Sequence, residues 1–128
     1  MTRVARLGAG VLGAAVGLGA MAAHMLRPIL TEAQVANWQT GVQYQILHGL
    51  ALLAIGLSNL NGRNVRIAVW LFCVGIVIFS GGLYINALTG FKALGRVIPI
   101  GGMAWICAWF LLAFAGGGKQ SDQGLGGT

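Results

Sequence analysis

Four long stretches of apolar residues, separated by short polar segments, are the main feature of this sequence. They run from Val4 to Leu26, Gly41 to Leu57, Ile67 to Leu88 and Val97 to Ala115. Each is close to the roughly 20 residues that an α-helix needs to cross the hydrocarbon core of a bilayer. Helices are expected because backbone N–H and C=O groups inside lipid have to be paired internally. We therefore predict an all-α membrane protein with four transmembrane helices.

The polar segments set the ends of these helices. Thr31, followed three residues later by Gln34, has the pattern of a capping box, so the second helix is predicted to begin well before its apolar part. The predicted helices cover about residues 4–26, 32–57, 66–88 and 97–115. Short connections favour antiparallel neighbours, which makes residues 1–115 one up-down-up-down bundle. Residues 116–128, rich in glycine, are predicted to be a flexible tail.

The composition agrees with lipid as the solvent. Hydrophobic residues make up 57% of the chain and charged residues 8%, against roughly 25% charged in an ordinary soluble domain. The net charge of +6 does not indicate nucleic-acid binding, because the basic residues lie at the ends of the apolar stretches, beside lipid headgroups. The expected partner is therefore the lipid bilayer, and no nucleic acid is expected.

The distribution of basic residues predicts the orientation in the membrane. On one side lie Arg3, Arg6, Arg63, Arg66 and Lys119, and on the other lie Arg27, Lys92 and Arg96. Loops with more lysine and arginine stay in the cytoplasm. We therefore expect a multi-pass protein of the bacterial inner (plasma) membrane with both termini in the cytoplasm.

Groups for acid-base or metal catalysis are almost absent. Glu32 lies at a helix start and Asp122 in the tail, which excludes paired carboxylates, a Ser-His-Asp triad and a carboxylate-bridged metal site within the membrane. Cys73 and Cys107 lie in apolar stretches without metal-binding spacing; a disulfide between them requires that their helices face each other. We predict no enzymatic activity, no cofactor and no metal.

Neutral polar side chains are concentrated in the outer halves of the helices. Tyr44, Gln45 and His48 share one helix face, and Ser80 and Tyr84, four residues apart, form a matching strip on the third helix. Because such groups are unfavourable against lipid, we expect them to face one another in a pocket that opens to the non-cytoplasmic side and binds a lipid headgroup or small molecule. The expected pocket residues are His24, Gln43, Tyr44, Gln45, His48, Ser80, Tyr84 and Asn86.

Three other interpretations stay open. Interhelical hydrogen bonds from these side chains often serve only to hold helices together, as in a structural or accessory subunit. His48 also suggests a transporter or proton path. Met21, His24 and Met25 also suggest a Cu(I) site built from soft donors.

Small residues on the first helix bear on oligomer formation. Ala9, Gly13 and Gly17 form one stripe at four-residue steps, and Ala15, Gly19 and Ala23 form a second. One stripe is expected to meet a neighbouring helix of this chain, and the other suits a second subunit or a larger membrane complex. The predicted packing glycines are Gly13, Gly17, Gly19, Gly101 and Gly102.

Four strings in this order carry a resemblance: GLGAMAAHML (17–26), NWQTGVQYQILHGLALL (37–53), FSGGLYINALTG (79–90) and PIGGMAWICAW (99–109). Together they resemble the YgdD/YwdK-like family of small inner-membrane proteins of unknown function. The resemblance implies a four-helix membrane protein and no particular activity. Two positions depart from the family pattern: Gly49 stands where alanine is usual, and Gly82 where serine is frequent.

Overall fold

Four α-helices form the protein in a computed structural model that describes residues 1–115. They are Arg3–Leu26, Glu32–Leu57, Arg63–Thr89 and Leu94–Phe114, numbered here helix 1 to helix 4. At 1.5 Å per residue these helices are about 32 to 41 Å long, enough to cross a hydrocarbon core of roughly 30 Å. The protein is therefore an all-α, four-span membrane protein. The tail predicted for residues 116–128 lies outside the described residues.

Caps and turns set the ends of the helices. The hydroxyl of Thr2 accepts a backbone N–H of the first turn of helix 1, and Thr31 and Gln34 form the complete capping box at the start of helix 2. Helix 3 begins at Arg63, directly after Gly62, and ends at Thr89, directly before Gly90. These two glycines have φ angles of 107° and 68°, which side chains with a Cβ rarely adopt.

A π-helical turn, Ala22–Leu26, ends helix 1, and a second one, Ile76–Ser80, interrupts helix 3. The wider turn changes the register of a helix, so that its faces before and after it differ. In helix 3 the part before the turn, Arg63–Gly75, packs mainly on helix 4, and the part after it, Gly81–Thr89, packs mainly on helix 2. This turn thereby lets one helix contact two neighbours in succession.

Helices 1 and 2 are antiparallel, as the ends that meet show. The Thr2 hydroxyl at the start of helix 1 donates to the carbonyl of Gly56 near the end of helix 2, at 2.8 Å. Further along, the indole of Trp38 donates to the carbonyl of Leu18, also at 2.8 Å. Helix 1 packs mainly on helix 2, and helix 4 mainly on helix 3. The helices therefore follow one another in chain order across the bundle.

Helices 1 and 2 approach most closely near the end of the bundle that carries Thr2, called here the N-terminal end. A Cβ placed on Gly56 would overlap the backbone nitrogen of Ala5. One placed on Gly8 would lie 2.5 Å from the backbone nitrogen of Leu53. Since main-chain atoms cannot move aside as a flexible side chain can, both positions require glycine for this contact.

The glycines predicted for packing divide into two groups. Gly13 and Gly17, on the stripe with Ala9, have no other atom within 4 Å of an added Cβ, because this face of helix 1 points away from helix 2. They therefore pack against no neighbouring helix within residues 1–115. At the other three positions an added Cβ would meet a neighbour: the Val42 side chain at 3.4 Å from Gly19, the Phe79 nitrogen at 2.6 Å from Gly101 and the Phe79 ring at 3.8 Å from Gly102.

Candidate functional site

His48 is a buried polar side chain in the second half of helix 2, with 2% of its surface exposed. Its ring lies parallel to the indole of Trp105 from helix 4, with ring centroids 3.8 Å apart. Nε2 is 3.1 Å from the indole nitrogen of Trp109, and Nδ1 is 2.8 Å from the backbone oxygen of Tyr44. Both ring nitrogens are therefore occupied by protein partners.

These two partners determine where the imidazole proton lies. The indole N–H of Trp109 can only donate, so Nε2 of His48 has to accept. The carbonyl of Tyr44 can only accept, so Nδ1 has to donate. Only a neutral imidazole protonated at Nδ1 satisfies both bonds, because a proton on Nε2 would face the indole N–H. The geometry thus suits a neutral His48 that joins helices 2 and 4.

Aromatic rings surround Trp105 on the side facing helices 2 and 3. The ring of Tyr44 is parallel to its indole, with centroids 5.7 Å apart, and the ring of Phe79 lies at 4.8 Å. The indole nitrogen donates to the backbone carbonyl of Phe72 at 3.1 Å. This approach requires Gly75, because a Cβ there would overlap the indole nitrogen. The aromatic cluster consists of Tyr44, His48, Phe72, Phe79, Trp105 and Trp109.

A groove of about 430 Å³ lies beside the aromatic cluster, between helices 2 and 4. We call it the lateral groove, because Leu47, Met103 and Ile106 on its edge are at least half exposed on the lipid-facing surface. Tyr44 and Trp105 lie close to the middle of their helices, which places the groove at hydrocarbon depth. Its lining residues are Tyr44, Leu47, His48, Phe79, Pro99, Gly102, Met103, Trp105, Ile106 and Trp109.

Tyr44 supplies a free polar group on this groove. Its side chain is 42% exposed, and its hydroxyl has no hydrogen-bond partner among residues 1–115. A hydroxyl without a partner in hydrocarbon is unfavourable by a few kcal/mol, roughly 1 to 3 on protein scales. Tyr44 can therefore donate to a molecule that enters the lateral groove from the bilayer.

Gln45 is the centre of a second polar network, nearer the other end of the bundle. Its Nε2 donates to the carbonyl of Val11 in helix 1 at 3.0 Å, and its Oε1 accepts the hydroxyl of Tyr84 in helix 3 at 2.6 Å. The buried hydroxyl of Ser80 donates to the carbonyl of Gly41 at 2.7 Å. These bonds join helices 1, 2 and 3 and leave no free group for a headgroup.

Three side chains expected in the outer pocket lie elsewhere. His24 is exposed, because helix 1 packs on helix 2 through other residues. Gln43 is exposed because a residue two positions from the buried Gln45 points about 200° away from it around the helix. The amide of Asn86 donates to the carbonyl of Phe91 in the turn after helix 3. The single outer pocket is therefore not formed, and its residues divide between the aromatic cluster, the Gln45 network and the surface.

The two neighbouring glutamines give a matched test of the Gln45 network. Gln45→Leu is expected to lower the free energy of unfolding by about 1 kcal/mol, because bonds to two helices are lost. Gln43→Leu, at an exposed position, is expected to leave it unchanged. Unfolding of both variants in detergent, followed by circular dichroism, measures the difference. Equal stabilities would show that Gln45 does not join the helices.

Trp105, Phe72 and Gly75 were not singled out from the sequence. Trp105 and Trp109 are four residues apart and so share a face of helix 4, which is a usable signal for an aromatic surface. The polar side chains alone do not indicate this surface, because an aromatic pair on an apolar helix is equally compatible with a position facing lipid. Nothing in the sequence shows that the Trp105 indole reaches helix 3 across Gly75.

The two cysteines considered for a disulfide are not joined to each other. Cys73 and Cys107 are free thiols, the first half-buried and the second exposed. His24 and Met25 are both exposed at the end of helix 1. Within residues 1–115, no three His, Cys, Asp or Glu side chains are grouped as for a metal ion.

Comparison with known proteins identifies the family. The model of the family described as "Protein of unknown function (DUF423)" matches residues 18–102, about two thirds of the chain. The chain belongs to this family. The match includes all of helix 2 and most of the aromatic cluster. It ends at residue 102, before Trp105 and Trp109. The resemblance to the YgdD/YwdK-like family is confirmed, because the relatives of this chain include the membrane protein YwdK.

Relatives of this DUF423 protein are named membrane proteins. The UPF0382 membrane protein of Staphylococcus aureus (strain bovine RF122 / ET3-1) is 45% identical over 102 residues, covering 79% of this chain and 84% of the relative. The UPF0382 membrane protein YwdK of Bacillus subtilis (strain 168) is 41% identical over 104 residues, covering 79% and 85%. No solved structure matches the chain. These names agree with the four spans and state no activity.

Proposed function

We propose that this DUF423 protein binds a lipophilic molecule dissolved in the bilayer, and that the lateral groove is its binding site. The observation that carries the proposal is the unpaired Tyr44 hydroxyl, held at hydrocarbon depth on an aromatic surface. The groove volume of about 430 Å³ lies within the range of small-molecule sites, roughly 300 to 1,000 Å³. The ligand class is a planar or ring-containing lipophilic molecule with a hydrogen-bond acceptor such as a carbonyl.

The aromatic cluster supports this ligand class. Trp105 is held by His48 and by the carbonyl of Phe72, so the wall is preorganised rather than shaped by the ligand. Flat rings stack well on such walls, and the apolar edge of Leu47, Met103 and Ile106 suits an alkyl chain that remains in lipid. Tyr44 then supplies the one directional contact.

The proposed role is binding rather than catalysis or proton transport. His48 has both nitrogens bonded within the protein, so it is not free to act as a base. A path for protons would require it to break the bond with Trp109 at each transfer. Within residues 1–115 the only carboxylate belongs to Glu32, at the other end of the bundle from Thr2.

Tyr44→Phe tests the proposal with a defined probe. Decyl-benzoquinone, which has a planar ring, two carbonyl acceptors and an alkyl chain, should bind the protein in detergent and quench its tryptophan fluorescence. Loss of the Tyr44 hydroxyl should weaken this binding by roughly fivefold, the effect of one hydrogen bond. Tyr84→Phe is the matched control, since its hydroxyl bonds to Gln45 away from the groove, and it should leave binding unchanged.

Two outcomes would contradict the proposal. One is that Tyr44→Phe and Tyr84→Phe weaken quinone binding equally, which would indicate a general loss of structure. The other is that decylbenzene, which has the ring and chain but no acceptor, binds as tightly as the quinone.

A structural or accessory role is the second candidate, and the open stripe on helix 1 favours it. Ala9, Gly13 and Gly17 are exposed small residues, and small residues let helices approach closely in membranes. The partner is a second copy of this chain or a helix of a larger membrane complex. Purification in mild detergent followed by mass spectrometry should recover it in stoichiometric amount, and its repeated absence would rule the role out.

The proposed location is the bacterial inner membrane with both termini in the cytoplasm. Arg3, Arg6, Arg63 and Arg66 lie at the N-terminal end of the bundle, and Arg27, Lys92 and Arg96 lie at the other. The larger number of basic residues at the N-terminal end supports this orientation.

A further inference from the structure

A cleft of about 550 Å³ lies at the N-terminal end of the bundle, where helix 1 begins, helix 2 ends and helix 3 begins. It shares no residue with the lateral groove. Val4, Ile55, Val65 and Val69 form its apolar wall. Its polar side chains are Thr2 before helix 1, Ser58 and Asn61 in the turn between helices 2 and 3, and Arg66 in helix 3. We call it the terminal cleft.

Polar and apolar residues of the terminal cleft lie at different depths. Asn61 and Arg66 are at the membrane end, while Val69 and Trp70 are further along helix 3. From Gly62 to Trp70 the helix rises about 12 Å, which extends from the headgroup region into the hydrocarbon. Trp70 is 73% exposed, so the deeper part of the cleft is open to lipid. This arrangement matches a molecule with a polar head and an apolar chain.

The hydrogen-bonding groups of the cleft favour a negatively charged headgroup. The hydroxyls of Thr2 and Ser58 already donate to the carbonyls of Gly56 and Ile55, so the Arg66 guanidinium is the main donor for a ligand. Arg66 is exposed, and the only acidic residue among residues 1–115, Glu32, is at the opposite end. Within this part of the chain the guanidinium therefore has no carboxylate to pair with. An Arg guanidinium binds phosphate oxygens well because its N–H groups match their geometry.

We propose that the terminal cleft binds one anionic glycerophospholipid. Arg66 holds the phosphate, Asn61 bonds to the headgroup, and an acyl chain lies along Val65, Val69 and Trp70. The charge of the cleft selects an anionic lipid over a zwitterionic one, since a second positive group in the headgroup would lie close to Arg66. The site is independent of ligand binding in the lateral groove.

Native mass spectrometry of the full-length protein tests this site. Delipidated protein in detergent is given equal amounts of phosphatidylglycerol and phosphatidylcholine with the same acyl chains. The expected result is one bound lipid, with roughly tenfold preference for phosphatidylglycerol. Arg66→Gln should lower that preference by roughly fivefold. The helical circular dichroism of the variant should be unchanged, because Arg66 is exposed.

Arg63→Gln is the matched control. It removes the same charge from the same end of helix 3, but Arg63 is not among the residues that line the cleft. It should leave the lipid preference nearly unchanged. If Arg63→Gln lowers the preference as much as Arg66→Gln, the effect comes from the general surface charge and the proposal is wrong.

A soluble headgroup distinguishes a lipid site from a phosphate site. Glycerol phosphate, added in excess, should not displace phosphatidylglycerol, because it lacks the acyl chain that contacts Val65, Val69 and Trp70. Displacement at millimolar concentration would overturn the assignment to a lipid. Equal binding of phosphatidylglycerol and phosphatidylcholine by the unaltered protein would overturn it as well.

Discussion

Replacing Gly56 by alanine is expected to destabilise the protein by about 3 kcal/mol, the upper part of the usual range for overpacking. The added methyl group would overlap the backbone nitrogen of Ala5, so helix 1 has to move away from helix 2. That movement would also lengthen the hydrogen bond from Thr2 to the Gly56 carbonyl, now 2.8 Å. The measurement is the free energy of unfolding in mixed micelles with increasing SDS, followed by circular dichroism.

Gly13→Ala is the matched control, because it adds the same methyl group on the face of helix 1 that points away from helix 2. No neighbouring atom of residues 1–115 lies within 4 Å of a Cβ at this position, so no clash with helix 2 is expected. In water the substitution would favour the helix by about 0.5 to 1 kcal/mol, and the same direction is expected here. If the two alanine variants are equally stable, helices 1 and 2 do not pack through Gly56 as the structure shows.

Trp105→Ala is expected to lower the free energy of unfolding by about 3 kcal/mol, because a large buried aromatic side chain leaves a cavity. Trp105 is 4% exposed and stacks on His48 at 3.8 Å. The carbonyl of Phe72 would also lose the indole donor. Since Trp105 lines the lateral groove, binding of decyl-benzoquinone should be lost together with the stability.

Trp70→Ala provides the same substitution at a lipid-facing position of helix 3. Trp70 is 73% exposed, so its removal leaves no internal cavity, and stability and quinone binding should both stay close to those of the unaltered protein. Unfolding in detergent and fluorescence quenching, measured on both variants, separate the two effects. A loss of stability in Trp70→Ala as large as in Trp105→Ala would show that the aromatic cluster is not a packed centre.

Individual polar residues show where prediction from the sequence ended. Gln45, His48 and Ser80 were predicted to face the inside of the bundle, and the structure places them there because polar groups in lipid need partners. The sequence could not assign their partners on other helices, which lie 34 to 61 positions away in the chain. Gln43 was predicted to lie with them, but it is exposed. The sequence does not show whether a glutamine in an apolar stretch lies on the buried or the lipid-facing side of its helix.

Local patterns were sufficient for the helices themselves. Apolar length, the Thr31–Gln34 capping box and the glycine turns depend only on residues that are close together in the chain. Such features can therefore be recognised from the sequence. The π-helical turn at Ile76–Ser80 left no such signal, yet it directs the two parts of helix 3 to different neighbours. Local hydrogen bonds specify a helix, whereas packing decides which face of that helix contacts which neighbouring helix.

The amino-acid sequence alone was enough to establish four membrane spans, their approximate ends and membership of a membrane-protein family, because hydrophobic length and local motifs are properties of short segments. Only the tertiary structure showed that Trp105 stacks on His48 across Gly75, that the Tyr44 hydroxyl has no partner, and that Arg66 opens onto a cleft. Each of these depends on distances between helices. Interhelical distances are decided by which side chains interlock, and that information is spread over the whole chain.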